Sequence, residues 1–294
     1  MKILGINALN HDASVAVLDG TVLMHERASK YSGVPNDHYL NQQLVDHALS
    51  FGQPDVIAYY EQPWVKKSRQ LYAGQFREAF NISNIPSRYL KQFGLKDIPI
   101  RYVPHHASHA AAAYQGPFNQ TSVIVVDAIG EWDTVSVWKF DGRLQKVYNR
   151  TYPYSLGLFY SAFTELVGLV PTRDENAFMK LSQLGDPKIY YRRVMSYIDK
   201  NLHQGIWDWN VDLDDNSEIQ NIAAAVQQVF EEQLEYIFRI ARFESPYAIF
   251  TGGCAYNKVS HRLLGKLFNG YWISQNPGDA GSSLGAAYYI ENNT

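Results

Sequence analysis

Lys2-Ile-Leu-Gly-Ile-Asn7 and Ser122-Val-Ile-Val-Val-Asp127 open two segments that follow one plan. The first passes through a polar loop ending Asn10-His11-Asp12 into Ala13-Ser-Val-Ala-Val-Leu18, turns at Asp19-Gly20 and continues as Thr21-Val-Leu-Met24. The second passes through Ala128-Ile129-Gly130-Glu131-Trp132-Asp133 into Thr134-Val-Ser-Val-Trp-Lys-Phe140, turns at Asp141-Gly142 and continues as Arg143-Leu-Gln-Lys-Val147. Each reads as strand, polar loop, strand, Asp-Gly hairpin, strand, because Asp-Gly supplies the positive φ that a tight hairpin needs. Each first strand is almost wholly apolar and ends in a polar residue, Asn7 or Asp127. That pattern suits a central strand buried on both faces that delivers a functional group from its tip.

The rest of the chain alternates in the same way. Asn36 to Phe51 reads as a helix, Asp55-Val-Ile-Ala-Tyr-Tyr60 and Ile100-Arg-Tyr-Val103 as strands. Ser217 to Phe243 reads as a long amphipathic helix with a capping box from Ser217 and Gln220, and Tyr247-Ala-Ile-Phe250 as a late strand. The fold class is α/β. The duplication resembles the actin, sugar-kinase and chaperone-ATPase superfamily, in which two ribonuclease-H-like lobes flank a central cleft and both first hairpins grip phosphate. Residues 1–120 are expected to form the first lobe and 121–294 the second, with a helical insertion at about 152–216.

Between the repeats lies Pro104-His105-His106-Ala107-Ser108-His109-Ala110-Ala111-Ala112-Ala113-Tyr114, with three of the nine histidines of the chain. Proline followed by an alanine-rich run reads as a helix start, and His105 and His109, four apart, share one face. Such a pair is half of a transition-metal site; taken alone it is also the polar start of a helix whose rings only hydrogen-bond. Asp279, between two glycines in Asn276-Pro277-Gly278-Asp279-Ala280-Gly281, is poorly explained by packing. With His105, His109 and Asp127 it makes a set of two histidines and two aspartates suited to iron or a similar divalent ion. Gly252-Gly253 after the late strand, and the Gly-rich loop that runs into a helix from Asn276, let backbone approach a ligand closely. His106 is expected to point off the metal face, and His25, His38, His47, His203 and His261 to pack or solvate.

The chain has 294 residues, 46% hydrophobic and 19% charged, enough for a substantial core. Its single cysteine, Cys254, excludes an internal disulfide framework and fits a reducing, cytoplasmic setting. The first residues are too short an apolar stretch for a signal peptide, and no run of apolar residues is long enough to span a membrane. Net charge is −3, unevenly spread. From Trp64 to Arg101, Lys66, Lys67, Arg69, Arg77, Arg88, Lys91, Lys96 and Arg101 stand against Glu78 and Asp97, a local excess of +6. This is either a solvated face or a surface that meets a phosphate backbone, DNA included.

Seven segments occur in a telling order: Asn10-His-Asp-Ala-Ser14, Tyr60-Glu-Gln-Pro63, His105-His-Ala-Ser-His-Ala110, Val126-Asp-Ala-Ile-Gly-Glu131, Ile222-Ala-Ala-Ala-Val-Gln227, Gly252-Gly-Cys-Ala-Tyr-Asn257 and Gly278-Asp-Ala-Gly281. In this the chain resembles the N-terminal domain of O-carbamoyltransferases of the nodulation-protein-U and cephamycin type, which is similar to the tRNA threonylcarbamoyl-transfer ligase. The resemblance implies ATP-linked transfer of a carbamoyl group from carbamoyl phosphate, through carbamoyl-adenylate, to a hydroxyl. It implies a metal, usually iron, on His105, His109, Asp127 and Asp279, with Mg2+ a further candidate ion. It places His11 beside the carbamoyl carbon, Gly252, Gly253 and Asn257 in the adenosine pocket, and Asn10, Asp12, Gly130 and Glu131 in the loops that grip the cofactor.

Two departures stand out. Family members carry a C-terminal domain that makes the carbamoyl-adenylate, expected to be absent here, so that a separate adenylate-forming protein would supply it unless this domain activates carbamoyl phosphate itself. The Glu-Gly-Lys-Val-Met pattern of the family is Glu175-Asn176-Ala177-Phe178-Met179, with Ala177 at the lysine position. The acceptor is expected to be a hydroxymethylated pyrimidine such as hydroxymethylcytosine in DNA, reached through segment 64–101. The alternatives are a sugar or natural-product hydroxyl, a non-catalytic nucleotide-binding protein, and a tRNA threonylcarbamoyl ligase.

Overall fold

The computed structural model describes residues 1–293. Its ten strands form two five-stranded sheets. The first contains β1 (Ile3–Asn7), β2 (Ser14–Asp19), β3 (Thr21–Arg27), β4 (Val56–Tyr59) and β5 (Ile100–Tyr102), in the order β3-β2-β1-β4-β5. The second contains β6 (Thr121–Gly130), β7 (Asp133–Phe140), β8 (Leu144–Thr151), β9 (Tyr247–Thr251) and β10 (Gly270–Ile273), in the order β10-β9-β6-β7-β8. Read from its hairpin edge, the second sheet repeats the first strand for strand. In each, an antiparallel three-stranded meander is followed by two strands parallel to its first. The hairpin glycines Gly20 and Gly142 adopt φ of +69° and +96°, as their turns require.

The helices that matter for the site are α1 (Gln42–Leu49), α2 (Pro63–Tyr72), α3 (His105–Ala110), α4 (Leu156–Leu166), α5 (Glu175–Leu181), α6 (Asn216–Glu244), α7 (His261–Leu267) and α8 (Ser282–Asn292). Two helix starts differ from expectation. Asn36 takes a φ of +53°, so the first helix waits until Asn41, whose side chain accepts from the Leu44 backbone N–H at 2.9 Å. The long helix is capped by Asp215, which accepts from Ser217 N and Glu218 N, rather than by Ser217. The stretch from 152 to 216, expected to be a helical insertion, holds α4, α5 and one further short helix at Tyr191–Met195 joined by long turns and irregular chain, and α4, capped by Ser155, packs with α6 under the second sheet.

The alanine run has a packing role beyond helix propensity. α3 is buried along its whole length between the two sheets and continues as a 3-10 turn over Ala111–Gln115. The terminal helix α8 does not stay with the second sheet, where the expected range 121–294 put it. It crosses back and lies on β1, β2 and β4 of the first sheet and on α3. Ala286, Ala287 and Ile290 belong to the core that contains Ile3, Ile6 and Ala107. Glycine makes this approach possible. A Cβ on Gly5 would stand 2.0 Å from the Ser283 carbonyl oxygen, and one on Gly285 1.9 Å from that of Ser108.

Both atoms that a Gly285→Ala side chain would meet at closest range are rigid backbone, so the helix must shift. Overpacking of this kind costs about 1–3 kcal/mol, and a melting curve should show a fall of several degrees. Gly265→Ala on α7, where the added methyl meets nothing closer than 3.8 Å, should leave the midpoint unchanged or raise it. Equal midpoints for the two variants would refute this packing account.

Candidate metal and nucleotide site

Four side chains from three parts of the chain converge at the inner face of the cleft. α3 presents His105 and His109 with their Nε2 atoms 3.1 Å apart. Asp127, near the end of β6, places Oδ2 3.1 Å from His105 Nε2 and 3.6 Å from His109 Nε2. Asp279, in the loop before α8, places Oδ1 3.2 Å from His109 Nε2 and 3.5 Å from His105 Nε2. All four residues are buried, and their ligand atoms lie within 4.8 Å of one another. No lysine or arginine pairs with either carboxylate among the described residues. Two buried carboxylates without a fixed cation demand positive charge, and the donor set of two imidazoles and two carboxylates suits a divalent transition ion.

The electrostatics carry the same message. Burial opposes charge on His109, but hydrogen bonding to Asp127 and Asp279 outweighs it and pushes the ring up to about 9. Asp127 is held well below the usual carboxylate range, burial being overcome by the two imidazoles, and Asp279 is lowered as well by His11, His105 and His109. His106 turns away as expected. Its Nδ1 pairs with Ser136 Oγ at 2.7 Å, and burial, with His105 beside it, drives its pKa well below the ordinary value.

The two repeated loops buttress this cluster. Asn7, at the tip of β1, donates through Nδ2 to the Asp12 and Asp279 carbonyl oxygens, both at 2.9 Å. Asn10 donates to Asp279 Oδ2 at 2.9 Å, and the Gly253 N–H donates to Asp127 Oδ1 at 3.1 Å. His11 stands with Nε2 3.6 Å from Asp279 Oδ2 and Nδ1 3.1 Å from Asp12 Oδ2. Burial works against its charged form; Asp279 and the Asp12 hydrogen bond prevail and raise it to about 9. A cavity of about 450 Å³ opens beside it, running from His11, Asp127 and Asp279 to Tyr160, Phe230 and Asn257. At its far end Asn257 and Gln227 exchange two amide hydrogen bonds of 2.9 and 3.1 Å, and Tyr160 Oη donates to Gln227.

Residues 2–288 match the family described as carbamoyltransferase N-terminus. The chain belongs to that family. Two curated relatives are both uncharacterized proteins. One, from Synechocystis sp., is 28% identical across 98% of this chain and 56% of its own length. The other, from Methanocaldococcus jannaschii, is 28% identical across 74% of this chain and 42% of its own. The chain thus spans about half the length of the curated relatives it matches. Among solved structures, the activator of 2-hydroxyisocaproyl-CoA dehydratase from Clostridium difficile with bound ADPNP superposes with a TM-score of 0.53 at 13% identity, covering 100% of this chain and 96% of that one. Full-length HypF in its phosphate- and nucleotide-bound form gives 0.52 at 14%, covering 99% and 46%. The fold of this carbamoyltransferase N-terminal domain is therefore the two-lobed actin-like one.

Within the domain, Asn10, His11, Asp12, Gly253 and Asn257 all gather at the cluster or the cavity. Gly252 lies just behind, with φ +89° and its α-carbon pressed against the Val126 backbone, where a Cβ would stand 2.3 Å from the carbonyl oxygen. Gly130 and Glu131 depart from the expected cofactor role, for they do not line the cavity. A Cβ on Gly130 would reach within 2.3 Å of the His105 ring, so this residue seats the imidazole. The Glu131 carboxylate accepts from the Gln62 N–H at the start of α2, and its carbonyl oxygen from Arg69 Nε at 3.2 Å. Both tie α2 to β6.

Ala177 is exposed and outside the cavity wall, whereas its neighbours Asn176 and Met179 line it. The missing lysine therefore removes nothing from the wall. Tyr160, Gln227 and Phe230 were invisible in the sequence as site residues, because their helical spacing is that of core positions. Only Gln227, inside the quoted segment Ile222–Gln227, carried a hint.

Metal binding must displace the proton that His109 holds up to about 9. Affinity for a divalent ion should therefore strengthen as pH rises toward that value, with proton release below it. Titration calorimetry in two buffers of different ionisation enthalpy reads the release, and a pH-independent affinity between 6 and 8 would refute it. Asp127→Asn should lower the bound metal, measured by elemental analysis, from about one ion per chain to a small fraction.

Proposed function

We propose that this domain catalyses ATP-dependent O-carbamoylation, moving a carbamoyl group from carbamoyl phosphate, by way of carbamoyl-adenylate, to a hydroxyl acceptor. One observation carries the reading. An imidazole, His11, sits at the boundary between a four-donor cation cluster and a cavity of about 450 Å³, in a chain of the carbamoyltransferase N-terminus family. In the transfer, the acceptor oxygen forms a bond to the carbamoyl carbon and the bond from that carbon to the phosphate oxygen breaks. AMP departs and the hydroxyl proton passes to His11 in its neutral form, a minority near pH 7 while, against burial, Asp279 and Asp12 hold the ring up to about 9, so transfer should quicken as pH rises toward that value. General-base help of this kind is typically worth about a hundred- to ten-thousandfold. Iron or a similar divalent ion held by His105, His109, Asp127 and Asp279 would supply Lewis-acid stabilisation of the leaving adenylate oxygens.

The cavity wall around Tyr160, Phe230 and Asn257 is the place for the adenosine, and Gly253 turns its N–H toward Asp127 rather than toward the nucleotide. Mg2+ would accompany ATP, and a separate adenylate-forming protein or domain is the source of the activated carbamoyl group. A cytoplasmic setting accords with the single cysteine. No helix of the described residues is long and apolar enough to cross a membrane.

The acceptor expected from the sequence, a hydroxymethylated pyrimidine in DNA reached along segment 64–101, loses three of its eight cations. Lys66 pairs with Glu61 at 2.8 Å, Arg69 is bound to Glu131 and Gln75, and Lys67 is buried against backbone carbonyls. Segment 64–101 is therefore no continuous phosphate track. The small-molecule hydroxyl stands as the second reading on this ground.

Incubation with ATP, carbamoyl phosphate, an adenylate-forming partner and a panel of acceptors, hydroxymethylcytosine DNA and aminoglycosides included, should give one carbamoylated product by mass spectrometry. His11→Asn should cut turnover by about a hundredfold or more while leaving nucleotide affinity within about twofold. Unchanged turnover would remove His11 from the mechanism, and no carbamoylated product from any acceptor would overturn the reading.

A further inference from the structure

Segment 64–101 keeps five cations free, and its helical arm around Phe76–Phe80 also carries unburied rings. Arg77, Arg88, Lys91, Lys96 and Arg101 are exposed and have no ion-pair partner among the described residues, with only Glu78 and Asp97 as acids in the same stretch. Phe76 and Phe80 leave 62% and 71% of their surface in solvent, on a helical turn with Arg77 between them. Large rings in solvent cost free energy unless something covers them.

The turn runs directly into an open groove of about 870 Å³. Tyr39, itself 59% exposed, and Arg88 stand on its walls with side-chain amides around them, and no carboxylate lines it. Leu9, two residues before His11, also lines it. The loop bearing His11 therefore contributes residues to both this groove and the nucleotide cavity.

The arm is rigid. Lys67 Nζ, buried beneath it, donates to the carbonyl oxygens of Glu78, Ala79 and Asn81 at 3.1, 3.0 and 2.8 Å and to Asn84 Oδ1 at 2.8 Å. A buried ammonium with four oxygen partners holds the backbone that carries Phe80 and the groove wall, so the rings are presented without loss of chain entropy on binding.

We propose that this arm and groove bind a single-stranded nucleic acid, and that one of its nucleotides carries the hydroxyl to be carbamoylated. The inference names the acceptor class for the carbamoyl-transfer reading and rests on it. Rings standing out of a cationic surface stack on unpaired bases while the cations track the phosphates; a duplex hides its base faces from them. A purely apolar partner is disfavoured by Arg77 between the two phenylalanines and by Arg88 in the groove. Charge complementarity selects a polyanion.

The test is fluorescence anisotropy of the full chain with a fluorescein-labelled single strand of about twenty nucleotides, longer than the site size of one such surface. Binding should need no ATP, exceed binding to the matching duplex, and fall with salt. Tyr39→Ala and Phe80→Ala should each weaken it about fivefold or more. Arg88→Gln should make the log–log salt slope shallower by about 0.7 for one lost phosphate contact. Melting curves for these exposed-site variants confirm the fold, and Lys67→Met, which loosens the arm, should weaken binding and lower the midpoint together.

Affinity untouched by all three exposed-site changes, or equal affinity for duplex, overturns the proposal. So does a wild-type dimer by light scattering that Phe80→Ala converts to monomer, which would make the rings a contact between copies. Carbamoylation of a free sugar or nucleoside by a protein that ignores the strand sinks this inference alone. Strand binding without carbamoyl transfer to any acceptor sinks the transfer reading, and with it the acceptor role of the strand, while the binding surface stands.

Discussion

Two buried carboxylates, Asp127 and Asp279, share one small space with the imidazoles of His105 and His109, and the architecture is arranged around that conflict of charge. Like charges so close in a medium of low polarity repel strongly. The protein answers with imidazole protons and with neutral donors, the Asn10 amide and the Gly253 N–H. It places no lysine or arginine there, although one would settle the electrostatics permanently. What is left is a site whose compensation can be exchanged: a proton can leave and a metal cation can take over its role.

The duplicated sheets divide the labour unequally. The tip of β6 supplies a ligand, Asp127, while the matching tip of β1 supplies an amide, Asn7, that clamps the carbonyls of Asp12 and Asp279. The loop after β1 carries His11 toward the cavity. The loop after β6 turns inward, with Glu131 at φ +61° pinning α2 and Gly130 beneath the His105 ring. One repeated plan thus gives a loop that faces the cavity and a loop that braces, with Asp279 held by residues of the first.

Much of this was readable from residue order. Apolar strands ending in Asn7 and Asp127, the Asp-Gly turns and the His105–His109 spacing led to the duplicated fold and the four-donor set, because periodicity and ligand chemistry are local properties. The failures have a common cause as well. Gly130 and Glu131 sit in a loop that mirrors the His11 loop, and sequence symmetry says nothing about which copy faces the ligand. Tyr160 and Phe230 share their spacing with core residues, and only the packing of α4 against α6 turns them to the cavity. The positive charge of Lys67 and Arg69 read as surface, since no pattern reveals that the chain will fold back within 14 residues and enclose an ammonium with its carbonyl oxygens. Asn36 to Asn41 read as helix until the positive φ of Asn36 excluded it.

The return of α8 to the first sheet orders events during synthesis. β1 is made long before α8, yet one apolar face of it waits for Ala286, Ala287 and Ile290. The fourth ligand, Asp279, arrives just ahead of that same helix. A nascent chain therefore keeps both an uncovered sheet and an incomplete ion cage until Asp279 and α8 have emerged. Closure of the fold and completion of the four-ligand set coincide in a single step.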